Sequence, residues 1–358
     1  MVKSGNRSVV LVVLLGIAIV AVSFVAINTG GETHTEYPIP VTDALGREVT
    51  FDEVPERIIS AAPGTTEMVY ALGLGDKVVG VTDYCDWPTQ VVSEKDNGTL
   101  ASIGGYWEPS LEMIINLNPD LVVLSGGVYS HAEIAEQLGN MGINAFVTWR
   151  GENLTEIYQN IEMIGEICDC QSTATNLVSS MQDRVDYVQS VVAGLGPTKE
   201  LHAVWLDPVY TCGGDTFASQ IVALAGGENI FADLSGWPTV SIEEIIDQAP
   251  DVMTITATMM GSTPEQIIQS LEDDPLWSQV PAVQNEKVYI LYGQGENIFN
   301  RQSVRIVDGL EIMAEILYPE VFEVEMPHVI GNDYQDYLIS GTSGAAATSS
   351  SIGATVSA

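Results

Sequence analysis

A chain of 358 residues, 46% of them hydrophobic, has room for one large core or two ordinary ones and too little low-complexity sequence to be mainly disordered. With 48 Asp and Glu against 12 Lys and Arg, its formal net charge of −36 sets most of its surface against phosphate backbones and anionic lipid headgroups, which argues against nucleic acid as a partner. The acidity itself reads as adaptation to a salty exterior, or to solubility, ahead of a specific cationic partner.

Lys3 and Arg7 precede an almost unbroken apolar run from Val9 to Ile27. At ~1.5 Å per residue this run spans the ~30 Å hydrocarbon core, and the basic residues ahead of it place the N-terminus in the cytoplasm and the remainder outside. Residues 1–28 therefore read as a membrane anchor. A cleaved signal peptide is the alternative, because Ala21-Val22-Ser23 offers small residues at a cleavage site. No cysteine precedes Cys85, so a lipid on an N-terminal cysteine is not expected. Residues 29–40 read as a short stalk. In an exported chain, Asn97-Gly98-Thr99 and Asn153-Leu154-Thr155 are glycosylation triplets.

From 41 to 152, apolar runs such as Val78–Val81, Leu121–Leu124 and Ala145–Val147 alternate with helical patterns, as in parallel strands with crossover helices. Ser110-Leu111-Glu112-Met113-Ile114-Ile115, followed by Pro119-Asp120 and an apolar run, recurs 131 residues later as Ser241-Ile242-Glu243-Glu244-Ile245-Ile246 followed by Pro250-Asp251. Each copy has a capping Ser, a Glu in the first helical turn and a stop at Pro-Asp before a strand. A period that long indicates two similar lobes in tandem, not a solenoid. Between them, 153–198 is mostly free of Gly and Pro over Leu154–Ala193 and predicts a helical connector with one break near Asp169-Cys170-Gln171. The α/β alternation resumes over 199–325 with Ala203–Leu206, Val252–Thr256 and Val288–Leu291. The expected fold is α/β: two doubly wound Rossmann-like lobes joined by a long helical connection that permits only modest relative motion. Residues 326–358, ending in a Ser/Thr/Ala/Gly-rich run from Gly341, read as a flexible tail.

Several local sequences coincide here: Asp43-Ala44-Leu45-Gly46-Arg47, Pro55-Glu56-Arg57-Ile58-Ile59-Ser60, Thr66-Glu67, Gly80-Val81-Thr82-Asp83-Tyr84, Trp87-Pro88, Gly226-Gly227-Glu228-Asn229-Ile230-Phe231 and Trp237-Pro238. Together, over roughly Val41 to Phe322, they resemble the cobalamin- and iron-siderophore-binding proteins of ABC importers. The resemblance implies an extracytoplasmic receptor, with no chemistry of its own and no covalent cofactor. Such a receptor captures a metal chelate, a corrinoid or a ferric siderophore, and delivers it to an ABC permease with a cytoplasmic ATPase. It also implies an exposed Glu at the tip of each lobe that meets permease arginines, and Glu112 and Glu243 match that pattern. Offsetting the helix dipole is the alternative for both, and Glu244 competes with Glu243 through a capping box with Ser241.

Tyr84, Trp107 and Trp237 are candidates for a ligand wall, since large rigid rings hold a flat macrocycle well; each is otherwise a core residue. Arg301, near the last strand, reaches either a polar edge of the ligand or an ion-pair partner. Aromatic residues with few cations favour a corrinoid over a trianionic siderophore. Of four histidines, His34 and His328 fall in the stalk and the tail, which leaves His131 and His202 and makes a bare-cation site of several imidazoles improbable. Cys168 and Cys170 point to different sides of a helix, and Cys85 and Cys212, one per lobe, do not form a lasting bridge in a protein that opens. No nucleotide loop or nucleophile elbow is present, so a cleft enzyme has no visible machinery, and a tethered sensor has no cytoplasmic domain to signal through.

Overall fold

The computed structural model describes residues 34–258 and 260–339. The apolar run Val9–Ile27 and the Ser/Thr/Ala/Gly-rich end from Gly341 lie outside them. No helix among the described residues is long and apolar enough to cross a membrane.

A hairpin opens the described chain. Ile39–Thr42 pairs antiparallel with Glu48–Phe51, and the turn is held by Asp43, whose carboxylate accepts from the amides of Leu45 and Arg47, each at 3.0 Å, and from the Arg47 guanidinium. Gly46 takes φ +73° in that turn, a conformation that favours glycine.

The N-terminal lobe is an all-parallel sheet in the order Ala101–Ser102, Val78–Val81, Ile58–Ser60, Leu121–Ser125, Ala145–Thr148. Ile58–Ser60 and Ala145–Thr148 are buried along their whole length, as a sheet covered by helices on both faces requires. The C-terminal lobe repeats this frame with Thr198–Leu206, Val252–Thr256 and Val288–Leu291 in parallel, and Gly227–Asn229 on the other side of the first strand. The repeated motif folds alike in both lobes. Ser110 caps helix Leu111–Asn116 and Ser241 caps helix Ile242–Gln248. The Pro-Asp that ends each copy fastens the central strand: Asp120 accepts from the amides of Glu56 and Arg57 at 2.9 Å, and Asp251 from the amide of Lys199 at 3.2 Å.

Two features depart from the expectation. The C-terminal lobe is not wholly parallel, because only Asp207-Pro208 separates Leu206 from Val209; the chain turns back, Val209–Thr211 runs antiparallel, and Thr239–Val240 joins it. Residues 326–339 also belong to the fold and are not a flexible tail. Val329–Ile330 adds a parallel edge strand beside Ile290–Leu291, and Tyr334 is fully buried with its hydroxyl on Asp308 at 3.2 Å.

The connector is two helices, Leu154–Ile167 and Gln171–Val192, broken at Cys168–Cys170, where Asp169 takes φ +56°. The second buries Ala174, Val178, Met181, Val185, Val188 and Val192, an alternating four- and three-residue spacing that lines one face. Arg184 on this helix reaches Asp308 and Glu311, each at 2.8 Å, on helix Ile306–Leu317, which is buried on every side. All four cysteines are free.

Glu200 is fully buried on the first C-terminal strand, with Oε1 accepting from Thr254 Oγ1 at 2.6 Å and Oε2 unpartnered. Burial pushes its pKa up to about 8, from an ordinary 4.5. The folded state therefore keeps a proton that the unfolded chain releases, so this contribution to stability is complete below pH 4.5 and is lost as pH rises through about 8. Glu315, also buried and raised to about 8, acts in the same direction. Glu200→Gln will flatten the decline in unfolding free energy across that window, as measured by urea titration at pH 5, 7 and 9. A pH profile parallel to the wild type would contradict the assignment.

Candidate functional site

In parallel α/β sheets the crevice outside the strand carboxyl ends is where ligands bind, because the loops there vary freely over a fixed frame. Both lobes direct their carboxyl ends to one seam. Glu67, on helix Pro63–Ala71 just after the central N-terminal strand, has a fully buried side chain. Its Oε1 accepts from Arg301 at 3.0 Å and from Arg305 at 2.6 Å, and its Oε2 accepts from Arg305 Nε at 2.9 Å and from the Ser303 hydroxyl. Arg301 also meets Asp86 at 2.5 Å, and the Arg305 guanidinium lies 4.4 Å from the Trp87 ring centroid. Glu67, Asp86 and Trp87 belong to the N-terminal lobe, and residues 301–305 follow the last long strand of the other. Backbone packing confirms the closeness: a Cβ at Gly64 would come within 2.9 Å of the Gln302 carbonyl oxygen. The two sheets are thus bolted at the floor of the crevice.

Around that floor stand aromatic rings. Tyr84, after Val78–Val81, is 60% exposed, and Trp107, after Ala101–Ser102, is 64% exposed, so neither is a core residue. Tyr129, after Leu121–Ser125, is 93% exposed, and Tyr292, after Val288–Leu291, is also exposed. Tyr106 and Trp107 pack ring to ring at 4.7 Å. Trp237 is 50% exposed, before the edge strand Thr239–Val240; among the described residues no hydrogen bond or ring contact joins it to Tyr84, Trp107 or Arg301. Arg301 is brought to Tyr84, whose carbonyl it meets at 3.5 Å, but its side chain is only 14% exposed and its charge is taken up by Glu67 and Asp86. Of its two expected partners, the structure supplies the ion pair, in a buried setting.

Glu112 and Glu243 are exposed in the first turns of their helices and carry no hydrogen bond or ion pair among the described residues. Of the adjacent pair, Glu244 and not Glu243 is the residue that caps the helix. Glu244 accepts from the Ser241 amide at 2.8 Å and completes the capping box, which holds its pKa below the usual carboxylate range.

Sequence reasoning passed over Glu67's role, Arg305, Tyr129 and Tyr292. Arg301 and Arg305 carried a signal, as two of very few cations spaced four apart. Tyr129 carried none. A separate concavity of about 140 Å³, lined by Ile268, Leu271, Val283 and His328 among others, lies at the amino end of Val288–Leu291, away from the seam. No group of three or more His, Cys, Asp or Glu among the described residues is placed to hold a metal ion.

Residues 58–294 match the family described as Periplasmic binding protein. The chain belongs to that family. An uncharacterized ABC transporter substrate-binding lipoprotein of Bacillus subtilis is 30% identical over 292 residues, covering 80% of this chain and 88% of the relative. A vitamin B12-binding protein of Vibrio parahaemolyticus is 28% identical over 264 residues, covering 72% and 88%. Among solved structures, the periplasmic vitamin B12-binding protein of Vibrio cholerae aligns with TM-score 0.60 and 28% identity over 74% of this chain and 97% of that one. A periplasmic haem-binding protein of Roseiflexus, at TM-score 0.63 and 22% identity, shares the fold. As a periplasmic binding protein of the ABC-importer type the chain is a binding component and not an enzyme.

Proposed function

We propose that the chain is the receptor that captures a corrinoid outside the cytoplasmic membrane, tethered there by Val9–Ile27, and delivers it to an ABC permease. The supporting observation is the contrast at the seam between exposed rings and spent cations. Arg301 and Arg305 are paired with Glu67 and Asp86, and Lys95 donates to the carbonyls of Asp83 and Cys85 at 2.7 and 3.0 Å; Arg150, 3.4 Å from Glu152, is exposed and only weakly paired. The other cations of the described residues sit at strand amino ends or on the connector. A trianionic siderophore or a haem dipropionate needs unpaired cations, whereas a corrin, with amides around its rim, needs flat apolar faces and hydrogen-bond partners. Tyr84, Trp107 and Trp237 form the wall, and Arg301 presents its remaining N–H edge to the ligand rim. The relatives named for vitamin B12 favour the same choice. A thermal-shift screen across cobinamide, cyanocobalamin, haem and a ferric hydroxamate separates the readings: the corrinoids will raise the melting temperature, and stabilisation by the hydroxamate or haem alone would replace a corrinoid with that chelate.

Glu112 and Glu243 are the docking charges in this reading, one per lobe, facing the two halves of the permease. Charges at a rim set encounter rate and register more than depth of binding. The double Ala variant will therefore keep its ligand affinity and lose permease association, with the largest loss at low salt. Lost ligand affinity with intact permease binding would return both residues to a helix-dipole role.

A further inference from the structure

His131 is fully buried at the start of helix Tyr129–Asn140, between the end of strand Leu121–Ser125 and the loop that follows Ala101–Ser102. Its Nδ1 lies 2.9 Å from the backbone amide of Ser125, at the end of the strand, and its Nε2 lies 2.9 Å from the carbonyl of Tyr106. An amide can only donate and a carbonyl can only accept, so these partners fix one tautomer: Nδ1 accepts from Ser125, and Nε2 carries the hydrogen donated to Tyr106. The residue before it adds a second tie, Ser130 Oγ donating to the Trp107 carbonyl. The loop that bears Tyr106 and Trp107 is closed at its base by the Gly104–Pro109 bridge and the Ser110 amide on the Ile103 carbonyl at 2.8 Å, and the Tyr106 ring packs edge-on against His131 at 6.0 Å with its hydroxyl bonded to Ser125. Its tip is solvent-exposed.

We infer that His131 is a positioning residue for the ligand wall: it clamps the Tyr106–Trp107 loop to the end of strand Leu121–Ser125, so that Trp107 and the adjacent Tyr129 stand as one rigid face before ligand arrives. This deepens the proposed function and rests on that reading for the identity of the ligand, but not for the clamp. A buried His satisfied on both nitrogens serves any core; this one spends its second bond on a loop whose tip, Trp107 and Glu108, is exposed to water. Pre-ordering that loop spares the complex the entropy of immobilising two large side chains and a mobile turn.

The two halves of the clamp are separable. In His131→Asn the amide oxygen takes the place of Nδ1 and keeps the Ser125 bond, while nothing reaches the Tyr106 carbonyl, which leaves the loop only the Tyr106 hydroxyl on Ser125 and the Ser130 tie. In His131→Gln the amide nitrogen takes the place of Nε2 and keeps the Tyr106 bond at the expense of Ser125. With the full chain labelled with 5-fluorotryptophan and the Trp107 resonance assigned through Trp107→Phe, ligand-free ¹⁹F spectra read loop order directly. His131→Asn will narrow and shift the Trp107 resonance toward that of a mobile indole and weaken cobinamide binding roughly fivefold, the worth of one net hydrogen bond. His131→Gln will keep both near wild type although its melting temperature falls. An unchanged Trp107 resonance in His131→Asn, or equal changes in the two variants, would overturn the clamp. Should wild type fail to bind cobinamide while the spectra behave as stated, the clamp stands and the corrinoid reading falls.

Discussion

Glu67→Ala will cost about 3–5 kcal/mol of folding stability, the usual penalty for removing one partner of a buried charge cluster. The carboxylate is fully buried and answers two guanidiniums and a hydroxyl from the opposite lobe. Without it Arg305, held by Gln294 at 2.9 Å and Tyr334 at 3.4 Å, keeps its charge but loses its direct salt bridge, with Asp308 reached only through the Tyr334 hydroxyl. Asp86 compensates Arg301 alone. At a few degrees per kcal/mol for a chain of this size, the melting temperature will fall by roughly 10 °C. Glu67→Ala combined with Arg305→Ala will cost less than the two single changes added together, since the double variant strands no charge. A loss below about 1 kcal/mol would mean that water enters and solvates the guanidiniums, and that the lobes are not bolted there.

Trp107→Ala will lower cobinamide affinity by about thirtyfold or more, on the scale of an aromatic anchor removed from an interface, while the melting temperature stays within about 2 °C of wild type. The asymmetry follows from exposure. The indole buries little in the free protein, so its removal leaves no cavity, yet it is the largest exposed ring on the N-terminal side of the seam among the described residues. Trp107→Phe will recover most of the affinity, because the flat face matters more than the indole N–H. Wild-type affinity in the Ala variant, measured against a wild type that binds, would remove Trp107 from the wall.

Much of this was legible because the determinants are local. The 131-residue repeat is carried by caps and a Pro-Asp stop whose geometry depends on neighbouring residues, and both copies fold as spaced: Ser110 and Ser241 cap, and Asp120 and Asp251 fasten the adjacent strand. The break at Asp169 was visible as an interruption of helical spacing. What escaped is tertiary. Glu67 stands beside Thr66 in a short helix, and nothing within ten residues of it indicates that its partners lie more than two hundred residues on. The antiparallel hairpin turns on two residues, Asp207-Pro208, in a stretch whose apolar pattern fits either strand direction. The strand at Val329–Ile330 is too short to show a period, and its burial comes from the sheet edge it joins. Exposure of Tyr84, Trp107 and Trp237 likewise could not be read from residue type, because a ring on a loop and a ring in a core have the same letter.

The most direct test of the account is calorimetric titration of the purified protein, in parallel, with cobinamide, cyanocobalamin and a ferric hydroxamate siderophore at fixed ionic strength. The exposed rings and paired cations of the seam predict sub-micromolar binding of a corrinoid at about one per chain, with little dependence on salt, and no heat with the siderophore. Sub-micromolar binding of the siderophore with no heat from either corrinoid would contradict it.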